Sequence, residues 1–160
     1  SVNVPRWLDE HIADVRIIHP HLDILLDTPP SGNFGLIDLR LMERVTDNLV
    51  NNALRYSNEK LRISLWLDGQ TAILQVEDDG PGIPAEERER VFEPFVRLDP
   101  SRDRATGGCG LGLAIVHSVA TAMEGSVVVD SGALGGARFR FSWPIKTESA
   151  MTLASIKPSR

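Results

Sequence analysis

Apolar residues recur along this chain with two periods, and the switching between them marks out the elements. Trp7, Leu8, Ile12, Val15 and Ile18 fall at spacings of one, three and four, which predicts a helix over 5–18 with one apolar face. A stronger helical signal follows over 39–56. There Leu41, Met42, Val45, Leu49, Val50, Ala53 and Leu54 repeat at three and four, and Asp38 stands where its carboxylate can cap the first turn. Residues 111–123 return to the same spacing through Leu113, Val116, Val119 and Ala120. Short apolar or alternating runs at 22–26, 34–37, 61–67, 71–76, 126–130 and 138–143 read as strands. Asp68-Gly69 predicts a hairpin between two of them, since both residues tolerate positive φ. The pattern is α/β, with helices packed on one face of a mixed, mostly antiparallel sheet.

Between Asp78 and Cys109 the periodicity fails among glycines, prolines and charges, leaving one short helix expected at 85–90. Loops of that length are usually functional. Residues 1–145 read as one domain, and 146–160 as a disordered tail. A chain of 160 residues that is 42% hydrophobic can bury a core without disulfides or metal. The net charge of -5 and the scatter of the basic residues argue against a nucleic-acid surface, which needs clustered Lys and Arg. Cys109 is the single cysteine, so no internal disulfide forms, and no apolar run is long enough for a membrane span. A soluble, reduced domain is expected, and the start at Ser1, inside patterned sequence, suggests a piece of a longer protein.

Three local patterns carry chemistry. Asn48 and Asn52 lie four apart on the strongest helix, with Cβ atoms roughly 6 Å apart, so both amide oxygens can face one Mg²⁺ ion. A bare asparagine pair is more often solvated than ligating. Arg55 and Tyr56 follow directly, one suited to phosphate and the other to a flat base. Glu77-Asp78-Asp79-Gly80-Pro81-Gly82-Ile83 leaves a strand end, where Gly80 and Gly82 permit a sharp turn. A carboxylate at Asp78 can accept from the exocyclic amine of adenine, whereas guanine presents a carbonyl there; in isolation the stretch is also an ordinary surface turn. Gly107-Gly108-Cys109-Gly110-Leu111-Gly112-Leu113 opens a helix, exposing backbone N–H groups and a positive dipole end to phosphate. No Gly-Lys-Ser/Thr follows, so it is not a P-loop, and close packing through small residues would explain it equally well.

Their order along one chain resembles the sensor histidine kinases. Residues 48–57 are similar to the N box of that family, 78–82 to the G1 box, Phe92-Glu93-Pro94-Phe95 to the F box, 108–113 to the G2 box, and Gly135-Gly136-Ala137-Arg138-Phe139 to its last glycine motif. The likeness runs from about Val4 to Pro144. It is closest to kinases paired with OmpR-type regulators. The resemblance implies the Bergerat ATP-binding fold, a two-layer α/β sandwich, with ATP and Mg²⁺ as cofactors. It implies that Asn48 and Asn52 hold the Mg²⁺–triphosphate, Asp78 reads adenine, and Tyr56 and Ile83 line the base pocket beside Gly80 and Gly82. Arg55, Arg97 and Arg102 would meet phosphates, as would the backbone of Gly108, Cys109, Gly110, Leu111, Gly112 and Leu113. Phe92 and Phe95 would anchor a lid over 98–107. Cys109 departs from the Thr or Ser usual in that place, and because backbone does the binding there, little affinity should be lost. The implied partners are a histidine-bearing dimerisation domain and a response-regulator receiver domain, in a dimeric parent protein anchored in the inner membrane with this domain in the cytoplasm.

In the wider superfamily of gyrase, Hsp90 and MutL, the position of Asn48 is a glutamate that activates water, and an amide cannot serve as that base. Glu43 is out of phase with the asparagines on the helix and is a poor substitute. Phosphoryl transfer is therefore favoured over hydrolysis. The acceptor is not among His11, His19, His21 and His117, none of which has the expected His-Glu-x-x-Thr/Asn-Pro surroundings. An ATP-driven clamp, a serine kinase of the anti-sigma type and an α/β module that binds no nucleotide remain the alternatives.

Overall fold

The computed structural model describes residues 2–96 and 110–146. Among these, the chain forms α1 (Val4–Ile18), β1 (Asp23–Asp27), α2 (Leu39–Tyr56), β2 (Lys60–Asp68), β3 (Thr71–Asp78), two 3₁₀ turns (Ala85–Glu87 and Arg90–Phe92), α3 (Gly112–Ala122), β4 (Ser126–Ser131) and β5 (Ala137–Pro144). The strand order is β1-β2-β3-β5-β4. Only β1 and β2 run parallel among these pairings, so the sheet is mixed and mostly antiparallel as the sequence predicts.

Local chemistry sets the helix starts. Asn3 accepts from the Arg6 N–H at 3.0 Å to cap α1, and Asp38 accepts from the Arg40 N–H at 2.9 Å to cap α2. The apolar stripes then decide the packing. Leu8 and Ile12 of α1, Met42, Val45, Leu49 and Val50 of α2, and Val116 and Val119 of α3 share one core with Leu61, Ile63, Leu74, Val76, Phe139 and Phe141 of the sheet. The opposite sheet face is polar but not open. Arg140 donates twice to Gln75 Oε1, at 3.1 and 2.9 Å, and lies over the Trp66 ring. Arg138 forks onto Asp130 at 2.7 and 2.6 Å. Central β3 is consequently buried on both faces.

Three expectations need correction. Residues 34–37 form no strand: Gly35 turns at φ 85, with its N–H donated to Asn33 Oδ1, which breaks the extended path. Phe34 is nevertheless buried, because its carbonyl accepts from Trp143 Nε1 at 3.0 Å and its ring lies beside the indole. The hairpin loop between β2 and β3 is Gly69-Gln70, one residue later than expected; Asp68 pairs with Thr71, and only Gly69 takes positive φ, at 59. The helix expected at 85–90 is two separate 3₁₀ turns, too short for an α-helical ladder. A Trp143→Phe substitution should cost about 1–2 kcal/mol by leaving the buried Phe34 carbonyl without its donor. A lowered urea midpoint with unchanged slope would show it.

Candidate functional site: the α2–α3 cleft and the turn after β3

Asn48 Nδ2 donates to the Arg44 carbonyl of its own helix at 2.8 Å. That bond fixes the amide so that Oδ1 points at the start of α3, where a Cβ built on Gly112 would lie only 2.9 Å from it. Glycine at 112 is thus what lets the first turn of α3 come so close to the amide oxygen. Asn52 sits one turn further along α2, half-buried, and Arg55 and Tyr56 close the helix, also half-buried.

Strand alternation places Asp78 on the core face with Leu74 and Val76, and leaves it 2% exposed. Its Oδ1 accepts the Gly80 N–H at 2.9 Å and the Ala137 N–H at 3.3 Å. The turn is wedged on two sides. A Cβ at Gly80 would overlap the Tyr56 carbonyl, and one at Gly136 would overlap the Asp78 carboxylate and carbonyl. Gly82, at φ 76, lies against Gly136. The last glycine motif therefore serves the turn by giving it room to pass.

Asp79, which the sequence reading assigned no role, holds this turn to the end of α2. Its carboxylate accepts the N–H groups of Asn58 at 2.8 Å and Glu59 at 3.1 Å, while Asn58 Nδ2 donates to the Asp79 carbonyl at 3.0 Å. Burial alone would raise this carboxyl, but the backbone donors of Asn58, Lys60 and Glu59 outweigh it and hold the pKa below its ordinary 3.8. A lowered folded-state pKa means that ionised Asp79 stabilises the fold above 3.8, and that this contribution is lost as pH falls through the lower folded value. The melting-temperature difference between wild type and Asp79→Asn, which cannot titrate, should therefore narrow as pH drops from neutrality to about 3. Arg88 was also missed. Its Nε donates to the Ile83 carbonyl at 3.2 Å, and its terminal nitrogen to Ser131 Oγ at 3.0 Å. Nothing in spacing singles out either residue; only strand alternation hints that the adjacent carboxylates 78 and 79 face different ways.

Phe92 packs edge-on to Phe139, with ring centroids 6.1 Å apart, and lies 6.0 Å from the His117 ring. Phe95 is 72% exposed. It sits at φ 65 and donates its N–H to the Gly110 carbonyl at 2.9 Å. Gly110, at φ 77, has no room for a Cβ beside the Phe95 backbone. Leu111 and Leu113 are half-buried, and Leu113 and Ile83 pack against the core. The residues Arg97, Arg102, Gly108 and Cys109, and the lid at 98–107, lie outside the described residues. His11 is bonded to Asp47 at 2.6 Å and stacked on Trp7. Among the described residues, no helix is long and apolar enough to cross a membrane.

A five-stranded mixed sheet with an asparagine-bearing helix facing a glycine-started helix, and an Asp-Gly turn at the end of a central strand, defines a class. The profile of the histidine kinase-, DNA gyrase B- and HSP90-like ATPase family matches residues 37–147, and the chain belongs to that family. Within it, the chain is 59% identical over 143 residues to the sensor protein RstB of Escherichia coli K12, covering 89% of this chain and 33% of that protein. It is 42% identical over 108 residues to the sensor histidine kinase CpxA of the same organism, covering 68% and 24%. The ATP-binding domain of PrrB from Mycobacterium tuberculosis superposes with a TM-score of 0.72 at 27% identity, over 91% of this chain and 96% of that one. The chain spans about a third of RstB and a quarter of CpxA. Its kinship is thus to the catalytic domain of protein-histidine kinases.

Proposed function

We propose that this domain binds ATP with Mg²⁺ and donates the γ-phosphate to a histidine on the dimerisation domain of a two-component sensor kinase, from which a response regulator draws it. The observation that carries the reading is the Asn48 amide, locked by its own helix so that a hard, neutral oxygen faces the glycine start of α3. Such an oxygen suits Mg²⁺, which takes few protein ligands and leaves the rest of its sphere to phosphate and water. Asn52 would supply the second oxygen. Bound there, the ion would neutralise charge on the triphosphate. The backbone N–H groups that begin α3 would meet phosphate, and the helix dipole favours the anion.

The base belongs at the other end of α2. Tyr56 lies eight positions after Asn48, about 12 Å along the axis, a span that suits a nucleoside triphosphate. There Asp78 would accept from the adenine amine, while Tyr56 and Ile83 border the ring. Arg55, and Arg97 and Arg102 from the segment after the F box, would meet phosphate oxygens. Transfer is favoured over hydrolysis because position 48 holds an amide, which cannot take a proton from water. Positioning and charge neutralisation then supply the catalysis. By this reading the parent protein is a dimeric, membrane-anchored kinase whose catalytic domain works in the cytoplasm.

Incubation with γ-labelled ATP tests the reading. The chain alone should stay unlabelled, and a separate histidine-bearing acceptor domain should gain acid-labile phosphate. Steady phosphate release without an acceptor would favour a clamp ATPase, and acid-stable label on serine an anti-sigma type of kinase.

A further inference from the structure

We infer that Asp79 and Arg88 are positioning residues for the base end of the pocket, clamping the turn that carries Asp78 at its entrance and exit. The inference rests on the nucleotide-binding reading above and deepens it. Between the two clamps lie Gly80, Pro81, Gly82 and Ile83, a segment outside any helix or strand with one residue in the left-handed region. Apart from the Asp78 bond to the Gly80 N–H, backbone of that kind has little to hold it except side chains from elsewhere. At the entrance, the Asp79 carboxylate takes the N–H groups of Asn58 and Glu59, so the turn is tied to the chain just after Tyr56. At the exit, the Arg88 guanidinium holds the Ile83 carbonyl and reaches across to Ser131 at the end of β4. Asp78, Tyr56 and Ile83, the groups placed around the base, are thereby set relative to one another.

The other end of the pocket is built separately. The Asn48 amide is oriented by Arg44, and the closest neighbour of a Cβ at Gly112 is Asn48 itself; neither Asp79 nor Arg88 takes part. Loss of either clamp should therefore weaken recognition of the base and leave recognition of the phosphates alone. General loosening of the domain would weaken both.

Two magnesium-containing probes separate these outcomes, ATP and inorganic tripolyphosphate, each titrated against the full chain by calorimetry and by melting-temperature shift. Asp79→Ala should weaken ATP about tenfold or more, with tripolyphosphate unchanged within about twofold. Asp79→Asn should restore most of the ATP affinity, because Oδ1 alone accepts from both Asn58 and Glu59. Arg88→Ala, at a half-buried position in no regular element, should weaken ATP several-fold and spare tripolyphosphate; it decides the matter if Asp79→Ala does not fold. Equal loss of both probes in the variants, or unchanged ATP binding, overturns the inference. A wild-type chain that binds neither probe would overturn the nucleotide reading instead.

Discussion

Replacing Asn48 and Asn52 together with alanine is expected to weaken Mg-ATP binding about a hundredfold or more, with little change in the fold. Interactions with charged groups are worth about 1.5–3 kcal/mol each, and 1.4 kcal/mol is tenfold in affinity. Neither side chain is in the apolar core, which α2 supplies through Met42, Val45, Leu49, Val50 and Ala53. Alanine also favours helix over asparagine, so α2 itself should not suffer. The measurement is calorimetry with and without Mg²⁺. Wild type should show strong dependence on the ion, and the double variant almost none. An unchanged dissociation constant would sink the metal assignment and, with it, the reading of the cleft as a phosphate site.

The second large effect concerns the base. Asp78→Asn is expected to lower ATP affinity about a hundredfold and to collapse the preference for ATP over GTP, because a site built to hydrogen-bond one group discriminates strongly when that partner is mismatched. The substitution keeps the shape. Oδ1 can continue to accept from Gly80 and Ala137, so the turn should stay in place, while the new amide group presents a donor where the adenine amine needs an acceptor. Paired titrations with ATP and GTP read the ratio directly. If ATP bound the variant as tightly as wild type, Asp78 would be a structural turn residue and no more.

Much of the architecture was legible before any coordinates. The bounds of α2 and its Asp38 cap follow from apolar spacing and one capping residue, since a long amphipathic stripe has only one good way to bury itself. The strands β2 to β5 were legible for a similar reason: their alternation separates a core face from a polar one. Phe34 misled the reading, because an isolated apolar residue signals burial but not the means of burial. Its partner, Trp143, is 109 positions away.

The order of motifs, the asparagine pair on one helical face and the amide at position 48 are properties of the chain itself, decided by spacing and by the chemistry of single residues. Which groups meet was decided by tertiary structure. Gly112 comes up against Asn48, Gly80 passes the Tyr56 carbonyl, Gly136 passes Asp78, and Asp79 reaches back to Asn58. Each is a close approach between elements far apart in sequence, governed by excluded volume and unpaired backbone donors. Neither leaves a periodic trace in a linear pattern, and both become visible only when the helices have closed on the sheet.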